Sequence, residues 1–162
     1  MQGSSLMINR RSFMLAAAGT LPALQLPSLA LAQTGEAAFE LVAKPAQKKL
    51  YRSDAAASDV WTYNGELPGP EIRVKKGERV RVRFTNTLEE PTSIHWHGIR
   101  IANAMDGVSG LTQDAVQPGE SFDYDFTAPD AGTYWYHAHN KSWNEVGRGL
   151  YGPLIVDESS PP

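Results

Sequence analysis

The sequence contains no cysteine. That absence excludes a disulfide framework, Cys-ligated zinc, an iron–sulfur cluster, a thiol nucleophile and a thiolate-bound blue copper within this chain. An excess of charge of one sign is also missing. Eighteen acids face 15 bases, and the net charge of −3 gives no electrostatic case for nucleic acid. Long stretches free of proline and glycine are few, with 11 Pro and 14 Gly spread over 162 residues, which argues against an all-helical fold. Histidine is scarce as well. There are four, and their placement is the most informative feature of the chain.

The first 32 residues read as an export signal rather than as part of the fold. Asn9-Arg10-Arg11-Ser12-Phe13 leads an apolar stretch that runs to Leu31, and Ala30-Leu31-Ala32 offers a small-x-small cleavage site. No acid occurs before Glu36, so the leader is purely cationic. The paired arginines followed by Ser-Phe resemble a twin-arginine signal, which implies a periplasmic or otherwise exported protein. Either Met1 or Met7 can serve as the start. A stable membrane anchor is disfavoured, because the stretch is marginal in length and contains Pro22, Gln25 and Pro27. Residues 33–157 are expected to form one domain, with 158–162 as the start of an interdomain linker. Two of the 15 bases lie in the leader, so the remainder carries 13 bases against 18 acids, a net −5.

Beyond the leader the chain reads as strands and turns. Val80, Val82 and Phe84 alternate with Arg79, Arg81, Arg83 and Thr85, the period of two of a half-buried strand. Phe122, Tyr124 and Phe126 alternate in the same way with Ser121, Asp123 and Asp125. Further strand-like runs are Phe39–Ala43, Val60–Tyr63, Glu71–Lys75, Ser93–His97, Thr133–His139 and Leu154–Asp157. Turn signals separate them, among them Asn64-Gly65, Pro68-Gly69-Pro70, Lys76-Gly77 and Pro118-Gly119. Short strands at such spacing predict an all-β sandwich or small Greek-key barrel. Residues 98–119 lack a strand signal and are expected to form a loop near the histidines. The basic run Arg73–Arg83 alternates with apolar residues, so it reads as the solvated face of two strands rather than a nucleic-acid patch.

All four histidines fall in two His-x-His pairs, His95-Trp96-His97 and His137-Ala138-His139. On a strand, residues i and i+2 share a face, so each pair presents two imidazoles on one side. If the two strands are neighbours, the pairs face each other across about 4.8 Å, with members of a pair about 6.6 Å apart. Four imidazoles on such a rectangle can close around one ion or reach toward different members of a metal cluster. Imidazole suits zinc, copper, iron and nickel, and copper(II) stands highest in the divalent series. Trp96 and Trp135 are expected on the faces opposite the histidines, in the core.

An ordered set of segments adds to these pairs: Trp61-Thr-Tyr-Asn-Gly-Glu-Leu-Pro-Gly-Pro-Glu-Ile72, Ser93-Ile-His-Trp-His-Gly98, Met105-Asp-Gly-Val108 with Thr112-Gln113, Pro118-Gly-Glu-Ser-Phe122, Gly132-Thr-Tyr-Trp-Tyr-His-Ala-His139 and Gly149-Leu-Tyr-Gly-Pro-Leu-Ile-Val156. From about residue 39 to 157 the chain resembles the first cupredoxin domain of a multicopper oxidase, and within that family the bacterial laccase-like members. The resemblance implies a cupredoxin-like Greek-key β-sandwich or barrel with copper as cofactor. His95 matches a ligand of the type 2 copper. His97, His137 and His139 match ligands of the paired type 3 coppers, with His139 serving a different ion from the other two. Together these coppers form the trinuclear cluster at which the family reduces dioxygen to water. Asp106 matches an acid that assists proton delivery there; its alternative is a turn residue before Gly107.

The departures from the family are as informative. A complete oxidase binds a type 1 copper through Cys and His in its last domain and draws the other cluster ligands from a His-Cys-His segment. This chain has no Cys and no further His. It is therefore expected to supply half of a trinuclear site, to need downstream cupredoxin domains in cis or from a partner chain, and to be inactive alone. The alternative is a free-standing exported domain that binds copper for storage or tolerance without turnover.

Overall fold

The computed structural model describes residues 36–51 and 56–160. The predicted leader lies outside the described residues, as do the last two positions of the predicted linker. Eight strands form the architecture: β1 (Glu36–Lys48), β2 (Ser58–Tyr63), β3 (Ile72–Lys75), β4 (Arg79–Asn86), β5 (Ile94–His97), β6 (Ser121–Thr127), β7 (Gly132–Ala138) and β8 (Tyr151–Asp157). They make two four-stranded sheets, ordered β2-β1-β4-β6 and β3-β8-β7-β5. From β4 to β7 each consecutive strand crosses to the other sheet, so the chain is an all-β sandwich.

The alternation that predicts β4 is what the sheet uses. Val80, Val82 and Phe84 are buried while Arg79, Arg81 and Arg83 are exposed. Antiparallel pairing with β6 sets Val82 beside Tyr124 on the inner face and Arg83 beside Asp123 on the outer face. Arg79 and Arg83 close ion pairs with Asp125 and Asp123 at 2.7 and 2.8 Å. Exposed pairs of this kind contribute about 0–1 kcal/mol each, so they favour a register while burial supplies the stability. Strand β1 changes partner along its length, running parallel to β4 over 36–43 and antiparallel to β2 over 43–48. Pro45 falls beyond the β4 pairing, where its missing N–H costs no rung on that side.

The core is closed by aromatic rings from both sheets. Trp96 of β5 meets Tyr124 of β6 edge-to-face, with ring centroids 5.4 Å apart, and Tyr136 of β7 lies 5.9 Å from the same indole. Such pairs add about 0.5–1.5 kcal/mol beyond the area they bury. The histidine-bearing strands are thus anchored through their inward residues.

Two expectations change. A seven-residue helix, α1 (Ser142–Arg148), follows β7 where no helix is predicted. It is two turns long, lacks a side-chain N-cap and ends at Gly149 with φ 122°, so the glycine is its main sequence signal. Trp135 is not a core residue, as its surroundings below show. Residues 98–119 do form a loop, with one short 3-10 turn over Asn103–Met105. No helix among the described residues is long and apolar enough to cross a membrane.

The packing makes a graded prediction. Leu154→Ala, at a fully buried position of β8, is expected to lower the unfolding free energy by about 2–5 kcal/mol. Arg83→Ala should cost less than about 1 kcal/mol, because it removes only an exposed ion pair. Urea unfolding of the two variants checks the ranking, and equal losses would show that the outer charge ladder does more than set register.

Candidate metal centre

Strand β5 is a sheet edge only four residues long, paired antiparallel with β7. Its register sets His95 opposite His137, His97 opposite Trp135 and Ile94 opposite Ala138. The two His-x-His pairs are therefore not face to face. They are offset by two residues, and the His139 N–H bonds instead to Ser93 O at 3.1 Å. The expected rectangle becomes a staggered row with His95 and His137 in the middle and His97 and His139 at opposite ends. Ring centroids lie 5.4 Å apart for His95–His137, 5.4 Å for His97–His137 and 5.1 Å for His95–His139.

Trp135 takes the corner that the offset leaves open. It is 37% exposed and stacks on His137, with centroids 4.1 Å apart and planes 28° apart. The same indole lies 5.1 Å from the His97 ring. The expectation of an opposite face is corrected by parity, because positions 135, 137 and 139 of one strand share a side. Trp96, between the two histidines of β5, is buried in the core as expected.

The free edge of β5 is held from two directions. The Ile94 N–H donates to Tyr124 Oη of the opposite sheet at 2.8 Å. On the other side, Ser93 Oγ donates to Gly107 O at 2.6 Å, drawing in the 98–119 loop. A Cβ at position 107 would overlap the Ile94 carbonyl, and the residue has φ 79°, so glycine is required for this approach. The approach delivers Asp106 to the site. Its backbone carbonyl lies 2.7 Å from His95 Nδ1, and its carboxylate Oδ1 lies 3.5 Å from the same nitrogen.

These contacts fix ring tautomers. A carbonyl can only accept, so His95 carries its proton on Nδ1 and turns the Nε2 lone pair outward. His137 does the same, with Nδ1 2.9 Å from Ala138 O. Burial, and after it the neighbouring imidazoles, pushes the His137 pKa down to about 4, so this ring is neutral at pH 7. His137 Nε2 points at His97 Nδ1 across 3.3 Å. Two nitrogens each about 2 Å from one ion stand about 3.3 Å apart at a near-tetrahedral angle, so this gap has the size of a shared cation. His95, His97 and His137 offer ring nitrogens that all lie within 4.8 Å of one another. His139 stays outside that trio, with its ring 5.8 Å from His137. The donor set therefore fits a metal that takes imidazole, copper included.

Asp106, by contrast, is brought to the histidines without joining the trio, and it does cap the 3-10 turn as its turn reading expects. Sequence reasoning did not identify Ser93, Tyr124 or Trp135 as contributors to the site. For Trp135 the strand parity was a usable signal; for the other two the contacts come from distant parts of the chain.

A family model for multicopper oxidases matches residues 45–161. The chain is 45% identical over 105 residues to a copper resistance protein A homolog of Pseudomonas syringae pv. tomato, covering 65% of this chain and 18% of that protein. It is 41% identical over 118 residues to laccase-1 of Cryptococcus neoformans var. grubii, covering 71% of this chain and 19% of that protein. Among solved structures, a multicopper oxidase from Pseudomonas thermotolerans superposes with a TM-score of 0.76 at 48% identity, covering 79% of this chain and 31% of that one. The chain thus spans less than a fifth of the length of these two curated relatives. Together with the sandwich fold and the gathered histidines, the match over most of its length places the chain in the multicopper oxidase family.

Proposed function

We propose that this chain supplies the first-domain half of a trinuclear copper site that reduces dioxygen to water, while a reducing substrate (a phenol or a metal ion) is oxidised elsewhere in a longer enzyme. The observation that carries this reading is the β5–β7 register, which gathers His95, His97 and His137 with two ring nitrogens 3.3 Å apart. In this reading His95 serves the type 2 copper. His97 and His137 share one type 3 copper, and His139, outside the trio, serves the other. Bound copper supplies the one-electron steps that dioxygen chemistry requires. The chain's own residues present the imidazoles, hold two of them by backbone carbonyls and bring one carboxylate close.

Asp106 is the proposed proton donor. Its Oδ1 stands 3.5 Å from His95 Nδ1, which brings a carboxyl group close to the site. The partners in this reading are downstream cupredoxin domains, in cis or on another chain, since the sequence has no Cys for a type 1 centre. The first 32 residues would act as a twin-arginine signal that exports the protein to the periplasm, with residues 33–157 as the cupredoxin domain and the linker after it. A second reading, a copper-binding domain for tolerance without turnover, is favoured by the similarity to a protein named for copper resistance.

Three outcomes test these assignments. The purified chain is expected to bind copper(II) with no intense blue thiolate-to-copper band and to show no phenol oxidation by itself. His95→Ala with His97→Ala should remove most of the copper measured by metal analysis after gel filtration; full stoichiometry in that double variant would refute the site. In the complete oxidase, Asp106→Asn should lower turnover on the order of 10²-fold at unchanged copper content. An unchanged rate would return Asp106 to a turn residue.

The metal-free chain should also respond to acid. The His137 pKa is about 4 in the folded chain against an ordinary 6.5, so between these values the unfolded chain holds more protons. The corresponding stability is complete above about pH 6.5 and is lost as pH falls toward 4. Urea midpoints measured at intervals across that window should fall less steeply in His137→Asn than in the parent, and parallel profiles would contradict the buried neutral ring.

A further inference from the structure

Helix α1 carries a side chain that neither the core nor the proposed copper chemistry explains. Glu145 is fully buried, at 0% exposure. A carboxyl in such a place is costly unless its hydrogen bonds repay desolvation, and a leucine would fill the same space without that cost. The side chain does make bonds. Glu145 Oε2 accepts from Thr92 Oγ1 at 3.1 Å and from the Asn140 N–H at 3.3 Å. Oε1 is buried with no partner among the described residues. Burial, the largest influence on it, pushes the carboxyl pKa up.

The two donors stand at significant places. Thr92 lies three residues before His95, on the approach to β5, and Asn140 directly follows His139. Between these points the strands exchange two further bonds. The His139 N–H donates to Ser93 O at 3.1 Å, and Asn140 Nδ2 donates to Pro91 O at 2.7 Å. The Glu145 backbone carbonyl meanwhile accepts from the Leu150 N–H at 3.1 Å, at the entry to β8 on the other flank of β7. One residue of a short helix therefore touches the chain beside all three strands at the His139 end of the row.

We propose that Glu145 is a positioning residue for the histidine site: from α1 it clamps the chain after His139 to the lead-in of β5 before His95, holding the His139 end of the staggered row in place. This assignment rests on the copper-binding reading above. The edge position of β5 gives such a clamp its task, because apolar burial sets the register of the four paired residues but leaves the strand ends open to fraying. The clamp acts on strand ends and leaves the ring faces of the histidines untouched.

Thr92→Val removes the bond while preserving shape, Glu145→Leu removes it from the other side, and Glu145→Gln keeps an acceptor oxygen for both donors. Each full-length chain is titrated with copper(II) and examined by electron paramagnetic resonance. Hydrogen exchange at the His139 amide is followed in the metal-free form. Thr92→Val and Glu145→Leu should weaken copper(II) binding about 10- to 100-fold, alter the resonance spectrum and speed His139 exchange, with circular dichroism unchanged. Glu145→Gln should restore binding and the parental spectrum. Parental affinity and parental His139 exchange in Thr92→Val would overturn the proposal, and if Glu145→Leu does not fold, Thr92→Val decides alone. A parent chain that binds no copper(II) would defeat the copper reading, while the His139 exchange rates would still decide whether the clamp exists.

Discussion

The site depends on one pairing, the antiparallel register of β5 with β7 that sets His95 against His137. A slip of one residue in that register would exchange faces, turning the imidazoles into the core and Trp96 out to solvent. What forbids the slip is apolar. Ile94, Trp96, Tyr136 and Ala138 all point inward and are fully buried. Burial of each large side chain is worth about 1.5–3 kcal/mol, far more than any single hydrogen bond along the edge. The inner half of these strands thus dictates where the outer half places its nitrogens.

Orientation is a finer matter than placement, and backbone carbonyls govern it. Asp106 O and Ala138 O each engage a Nδ1, which leaves two Nε2 lone pairs outward. The first depends on a glycine at 107, since only there can the 98–119 loop come against the Ile94 carbonyl. The loop is therefore part of the site although it contributes no imidazole. Without the carbonyl it supplies, His95 would be free to turn, and a ring free to turn loses affinity through the entropy of fixing it.

The strands were legible because a half-buried sheet writes a period of two into its sequence, as β4 and β6 show most clearly. The two His-x-His pairs were legible for the same reason, and so was their common face within each strand. The offset between them was not. Register is settled by where Trp96 and Tyr136 find room against the opposite sheet, which is information held by residues far away in the chain. Helix α1 escaped because two turns without a cap leave almost no periodic signal. Trp135 is a different case. Its parity with His137 was present in the sequence, and the general preference of tryptophan for interiors outweighed it. No sequence pattern announces that the buried carboxyl of Glu145 meets Thr92, 53 positions away.

Close packing of four imidazoles has a consequence for the state in which the chain waits. Two imidazolium charges 5.4 Å apart, the His95–His137 centroid separation, would repel by roughly 3 kcal/mol at an effective dielectric of 20. Such repulsion joins the larger effect of burial in keeping the His137 ring neutral. Neutral rings with fixed tautomers are also what a cation needs. The lone pairs that a metal would use are the ones that acid would occupy, so proton and metal compete for a single set of atoms. The strand register that sets these separations also brings His97 Nδ1 and His137 Nε2 to 3.3 Å, the spacing of two nitrogens on one cation. The apolar register thus places the lone pairs that a shared cation would use.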